Sequence, residues 1–313
     1  MLVPPTHRDA MWLRRHAQLE GIIEPEHNLF VAAEDWKAFN VAERAKLMIE
    51  GLSVLHPAWS FWGYDAALVW GLEVPYPLVG PRYLVLRNKP SLLKAPVRLL
   101  RPDACPPCEV HEGVYVTGLW RTVEDCLLRA PFSFGLAIAD SALRRTDATR
   151  EDLMQGLREH ASKRRGIRRA LCIARYADGL SENGGESRFR AFFIVYGFAV
   201  PRLQVEFVDP LDPEKTFRVD YLWVLEDGTQ LIGELDGLDK YYVEHDGARE
   251  VSIDAFAAER LRESHLTMLG HKVLRFSFSE LKEPEKLIEK LERAGVPRSK
   301  ERANEWCESW YGV

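Results

Sequence analysis

The chain has 313 residues, 28% of them charged, and a formal net charge of −5, so no overall positive charge points to a polyanionic partner and any basic surface is local. No apolar run is long enough to span a bilayer and Met1–Arg15 lacks a signal-peptide core, which argues against a membrane protein and for a cytoplasmic one. Five cysteines, an odd number, read as reduced thiols, and the length favours two domains.

The first half mixes helices with short strands. Ala10–Gln18, Val41–Leu55 and Ser60–Leu72 have helical apolar spacing, with Asn40 and Ser60 placed as N-caps. Trp59, Phe61, Trp62 and Tyr64, at the start of the third of these, read as core rather than as a base-stacking platform. Tyr83–Arg87 and Val97–Leu100 are short strands between Pro-rich turns. Cys105-Pro-Pro-Cys108 is the one CxxC, and without a second pair at matching spacing it reads as a loop. Val114–Thr117 is a strand that leads into a helix at Arg121–Leu128, where Arg121 and Asp125, four apart, form an i,i+4 ion pair. Pro131 separates that helix from Phe132–Arg144. The helix Arg150–His160 follows, with acidic residues early and His160 at its end.

Next come Lys163, Arg164, Arg165, Arg168 and Arg169, around an apolar stripe of Ile167, Leu171 and Ala174. Two readings stay open: a solvated helix face, or a patch that contacts DNA phosphates and releases counterions. Asp178–Gly185, rich in Gly, Ser and Asn, is the linker, which divides the chain into domains 1–178 and 179–295 and an aromatic tail, 296–313. The tail contains Trp306, Trp310 and Tyr311 and can dock on its own domain or on a partner.

Beyond the linker, Glu186–Phe198 is a helix, and Leu203–Phe207, Thr216–Leu225 and Gln230–Leu235 are strands, the last two joined by an Asp-Gly hairpin turn at Leu225–Thr229. Ser252–Leu269 is a helix stopped by Gly270, Lys272–Phe276 a buried strand, and Ser279–Ala294 a helix capped by Ser279. The order αβββαβα makes the second domain an α/β sandwich on a mixed sheet, behind an α+β first domain; the fold class is α/β. Carboxylates then lie on a helix (Glu186), on a strand (Asp220) and at the end of the next strand (Glu234, Asp236), the oxygen-rich set a hard Mg²⁺ or Mn²⁺ takes beside a phosphodiester.

Residues 186–290 resemble the very-short-patch-repair-like branch of the PD-(D/E)XK nucleases, a restriction-endonuclease-like fold. The matching residues are Glu186, Gln204, Asp220, Glu234 with Asp236 and Gly237, Glu259 with Arg260 and Arg262, and Gly270 with Val273 and Arg275. Residues from about 40 to 175 resemble the AbiEi-type antitoxins of type IV toxin–antitoxin systems, on the stretches Trp62–Leu72, Val116–Asp125 and Ala137–Leu143. Met1–Asn40 departs from that family's winged-helix pattern. The nuclease lysine is also absent from its usual position, where Asp236 stands instead. The resemblance implies a metal-dependent DNA endonuclease, or a catalytically inactive, antitoxin-like DNA-binding regulator, with DNA and a toxin or other protein as the partners.

Each candidate has a role on this reading. Asp220 and Glu234 on adjacent strands meet on one face and hold the metal, which removes the repulsion between them, or each simply stands at a strand end facing solvent. Asp236 is a third ligand or the opening of a turn that Gly237 completes. Glu186 orients a metal-bound water or simply favours its helix N-terminus. Lys240 supplies positive charge at the scissile phosphate, with Arg260 its rival; arginine can give charge but cannot act as a base. Gln204 hydrogen-bonds the phosphate or the water.

Overall fold

The computed structural model describes residues 1–17, 21–90, 93–104, 107–236, 242–245, 248–251, 261–262, 264–299 and 301. Gln18, Cys105, Trp306, Trp310 and Tyr311 lie outside them. The chain is of the mixed α/β class and divides into two compact units, Met1–Ala130 with Ala137–Ala177, and Pro131–Leu136 with Asp178–Val313. Among the described residues no helix is long and apolar enough to cross a membrane.

The first unit opens with helix α1 (His7–His16) and an antiparallel hairpin, β1 (Ile22–Glu26) and β2 (Leu29–Ala32), which the apolar spacing had not signalled because Pro25 interrupts its first strand. After a short helix α2 (Ala33–Ala38), α3 covers Val41–Leu55, and Asn40 caps it by accepting from the amides of Ala42 and Glu43. Helix α4 is shorter than expected, Gly63–Val69, because Phe61 and Trp62 stay extended: Phe61 bridges to Leu84 on β3 (Arg82–Val85) and to Val116 on β6 (Val114–Thr117). Strand β3 pairs in parallel with β4 (Val97–Leu100), and β6 pairs with β5 (Cys108–His111), which takes the second cysteine of the CxxC into a strand. Helices α5 (Leu119–Leu127), α6 (Phe132–Arg144), α7 (Arg150–Ala161) and α8 (Ile167–Tyr176) complete the set, the unit division falling inside α6. The core of this unit gathers Ile49, Leu52, Phe61, Ala66, Val116, Val123, Leu127, Ile138 and Leu157, all essentially inaccessible.

Asp65 and Asp125 are among the buried carboxylates of this unit. Asp65 faces Arg82 at 3.4 Å, both 2% exposed, and accepts from the Tyr83 amide. Asp125, fully buried, takes Arg121 at 2.8 Å as the sequence spacing requires, and adds Arg129 at 3.6 Å and a close contact to Arg164. Gly166, with φ of 95°, caps the start of α8 against the carbonyl of Leu128. A methyl there both strains the backbone and drives into that oxygen, so Gly166→Ala loses about 2 kcal/mol or more of stability by urea unfolding.

The second unit is built on a four-stranded sheet, order β12-β9-β8-β7, with β7 (Arg202–Val208), β8 (Thr216–Val224) and β9 (Gln230–Leu235) antiparallel and β12 (Lys272–Phe276) parallel to β9. The expected Asp-Gly turn joins β8 to β9, with Gly228 at φ 80°. A small hairpin, β10 (Tyr242–His245) and β11 (Ala248–Val251), intervenes before the helical residues 261–262 and 264–268. On one face α9 (Gly184–Val195) lays Phe189 and Phe193 on Tyr221, Trp223 and Phe276. On the other, Leu266 packs with Val219, Leu222 and Ile232. Ser279 does not cap the last helix. Ser277 caps a 3-10 turn, Phe278–Lys282, and the α-helix begins at Pro284, whose fixed φ suits a first turn, and runs to Ala294.

Burial raises the Asp65 carboxyl from 3.8 to about 6 against the pull of Arg82 and the Tyr83 amide. A carboxyl raised on folding stabilises most below its unfolded value, and that contribution is lost as pH climbs through the folded one. Wild-type stability relative to Asp65→Asn therefore falls as pH rises from about 4 to about 6.5. Thermal melts across that range check this, and parallel curves for the two proteins would refute it.

Candidate functional site

Strand register lines up the sequence candidates in one row across the second unit's sheet. Strand β9 sets Glu234 opposite Arg275 on β12. The β8–β9 register pairs Tyr221 with Gly233, and one step further sets Asp220 against Glu234. The β7–β8 register passes from Leu203–Tyr221 to Val205–Val219, so Gln204 falls opposite Asp220. The rung thus reads Gln204, Asp220, Glu234, Arg275. Asp220 is 7% and Glu234 3% exposed, so two carboxylates are nearly buried on neighbouring strands.

The sheet is irregular at this rung. Val219 packs with Leu266, whereas Tyr221, two residues on, packs with Phe193 on α9. Regular alternation would put both on one face, so the phase switches at Asp220. Gln204 on the next strand has φ of 50°, a left-handed conformation that costs a non-glycine residue about 1–2 kcal/mol. The local break re-aims both polar side chains. Asp220 Oδ2 accepts from the Leu235 amide at 2.8 Å, and Gln204 Nε2 donates to Glu186 Oε2 at 3.0 Å.

Glu186 is placed by the start of α9. Asn183 caps that helix by accepting from Gly185 and Glu186 amides, and the Tyr221 hydroxyl donates to the Glu186 carbonyl at 2.8 Å. The Glu186 carboxylate, 3% exposed, accepts from the Glu182 amide at 2.8 Å, from Asn183 Nδ2 at 2.7 Å and from Gln204. It ties the helix N-terminus to β7, and Gln204 is the link between Glu186 and the acidic rung.

Two arginines complete the geometry. Arg262 Nη2 lies 2.9 Å from Glu234 Oε2, and its Nη1 donates to the Arg218 carbonyl at 3.2 Å. Arg275 Nη1 donates to Asp236 Oδ1, while the Asp236 amide bonds the Phe276 carbonyl. Asp236 therefore continues the β9–β12 pairing and is turned to a guanidinium. The helical segment carrying Arg262 is anchored one turn later, where His265 Nδ1 sits 3.0 Å from Asp209 Oδ1, both groups nearly buried.

Asp220 and Glu234 are the two carboxylates that would hold a divalent cation, with Arg262 as competitor on Glu234; among the described residues no cluster of three acidic, His or Cys groups has metal-ligand geometry. Lys240 and Arg260 lie outside the described residues. Within the basic run Arg164 is committed to Asp125 and Arg169 donates to the Leu128 carbonyl at 2.8 Å, whereas Lys163, Arg165 and Arg168 are exposed. Sequence reasoning gave Arg262 and Arg275 no role. Arg275 was legible, since it faces Glu234 once β9 and β12 are paired in parallel; Asp209 and His265, far apart in the chain, carry no spacing signal.

No family model, no curated protein and no solved structure matches the chain.

Removing Arg262 leaves a nearly buried carboxylate without that counter-charge, which costs more than the lost contact itself. Arg262→Met is expected to destabilise the second unit by about 1–3 kcal/mol in urea unfolding, discounted for the arginine's partial exposure. Adding Glu234→Gln recovers most of that loss, and additive effects would show that the pair is not coupled.

Proposed function

We propose that the second unit is a divalent-metal-dependent phosphodiester hydrolase acting on DNA, with Asp220 and Glu234 holding the metal. The observation that carries this reading is the acidic rung: two nearly buried carboxylates on adjoining strands, bracketed by Gln204 and Arg275. Like charges so placed repel, and a hard cation with oxygen preference relieves that repulsion. Bound there, Mg²⁺ or Mn²⁺ would activate water and stabilise charge on the phosphate. The chain's own residues contribute otherwise. Arg262 and Arg275 offer positive charge beside the rung, and Gln204, held by Glu186, offers a fixed amide. Lys163, Arg165 and Arg168 supply exposed cations for backbone contact.

A second reading has its own support. Arg262 on Glu234 and Arg275 on Asp236 already neutralise two of the carboxylates, the arrangement expected of a DNA-binding regulator that keeps the nuclease frame and cuts nothing. A toxin is the partner such a regulator would control.

Supercoiled-plasmid nicking in Mg²⁺ or Mn²⁺ separates the two. The hydrolase reading expects nicking that drops by about 100-fold or more in Asp220→Ala and Glu234→Ala, with folding retained by circular dichroism. DNA binding that survives both substitutions, without cleavage by any variant, selects the regulator. In that case the affinity falls steeply with salt, and replacing Lys163, Arg165 and Arg168 with alanine flattens the dependence.

A further inference from the structure

Within the first unit a cavity of about 250 Å³ opens beside α3. Leu52 and Leu55 of that helix form one wall, Pro90 and Leu93 another, and Trp59 a third. His56 stacks on Trp59, ring centroids 3.8 Å apart and 15° from parallel. His27 and Asn28, at the hairpin turn between β1 and β2, supply the polar edge.

The walls are held by charged side chains rather than by chance packing. Glu26, 1% exposed, accepts from the His27 amide at 2.9 Å and from the Lys94 and Ala95 amides at 2.9 and 3.3 Å, pinning the turn to the segment that carries Leu93. Arg14 pairs with Glu24 and donates to Asn28 Oδ1 at 2.8 Å and to His27 Nδ1 at 3.3 Å. Glu24 in turn accepts from the Asn28 amide at 2.8 Å, which holds Asn28 at φ 61°, a conformation asparagine tolerates better than most residues.

Those contacts decide the chemistry presented. A guanidinium has only donors, so Arg14 takes the acceptor of each partner. Asn28 is left with its NH₂ group and His27 with a proton on Nε2. Burial lowers the pKa of His56, which favours its neutral form, and Arg14 and Glu24 cancel one another. The result is an apolar slot with an aromatic wall, N–H donors at its edge and no Asp, Glu, Lys or Arg side chain among its described lining residues. A cavity of about 150 Å³ is enough for benzene, so a space of about 250 Å³ has room for a larger, substituted ring. Small-molecule sites have this composition, mostly apolar with few fixed polar groups.

We infer that the cavity binds a neutral, planar heteroaromatic molecule with carbonyl or ring-nitrogen acceptors, of nucleobase size, against Trp59 and under His27 and Asn28. Such a ring comes either as a free small molecule or as an unpaired base of a single strand. The full-length chain is titrated with thymine, with toluene as an acceptor-free control and with a short oligo-dT, followed by ligand-observed NMR. Thymine is expected to bind at millimolar concentration or below and toluene at least about tenfold more weakly. Leu55→Trp, which fills the space, and His27→Phe, which keeps the bulk but loses the donor, each weaken thymine by about tenfold or more, with melting curves confirming that both fold. Asp220→Ala leaves binding unchanged, which separates this site from the nuclease reading. Oligo-dT that outcompetes thymine assigns the polymer as the source, and thymine alone assigns the small molecule. Failure of thymine to bind, toluene binding as well as thymine, or both variants matching wild type overturns the inference.

Discussion

Burying two carboxylates on neighbouring strands is the constraint around which the second unit is arranged. An ionised carboxylate taken from water without compensation costs several kcal/mol, and a like charge on the next strand adds to that. The chain meets this with a backbone amide on Asp220, a guanidinium from a separate helical segment on Glu234 and another on Asp236. Each compensating group is held in its turn. The Leu235 amide is fixed by strand pairing, Arg262 by the Arg218 carbonyl and by the His265–Asp209 anchor one turn away, and Arg275 by its register opposite Glu234. The phase switch at Asp220 and the left-handed Gln204 belong to the same arrangement. An unbroken alternation would carry Asp220 into one of two apolar faces already filled by Phe193 or Leu266.

The first unit handles buried charge by the opposite stoichiometry. Asp125 gathers three arginines, and Asp65 meets a single, equally buried one. An excess of cations around Asp125 is tolerable because each arginine is partly exposed and keeps part of its hydration. Asp65 and Arg82 have no such outlet, which is why burial raises the Asp65 carboxyl despite the adjacent guanidinium. This also reinterprets the basic run. Arg164 and Arg169 brace the first unit's own helices, and only the residues between and before them face solvent as free cations would.

Elements with a local mark at their ends were legible in the sequence. Helix α3, α6, β4, β6, β9 and β12 have the bounds expected of them, since a capping asparagine, a proline, an alternating pattern or a glycine turn marks each of them. The hairpin of β1 and β2 was hidden by Pro25, and α4 starts late because Phe61 and Trp62 serve as a bridge between sheets, a tertiary role with no local mark. Trp59, grouped by sequence with the core aromatics Phe61, Trp62 and Tyr64, is half-buried and lines a cavity. At the acidic rung the order of Gln204, Asp220 and Glu234 was readable because antiparallel hairpins convert order into adjacency. Arg262 was not, because it arrives from a helical segment whose approach depends on a His–Asp contact spanning 56 residues.

On the hydrolase reading, the arginines set the affinity of the site before any metal arrives. A cation that takes Glu234 Oε2 competes with Arg262 for that oxygen, and every 1.4 kcal/mol held by that pair then weakens metal binding about tenfold. A pair worth about 2 kcal/mol thus asks the metal for roughly thirtyfold more affinity than an unpaired site would. The displaced guanidinium remains tethered through the His265 anchor close to the rung, where a phosphate oxygen is its natural new partner. DNA and metal then favour each other's binding, since each takes one half of the same ion pair. A regulator without cleavage needs no such exchange, and its Arg262–Glu234 pair would persist in the DNA complex. The fate of this one contact on binding DNA is where the two readings of the fold diverge.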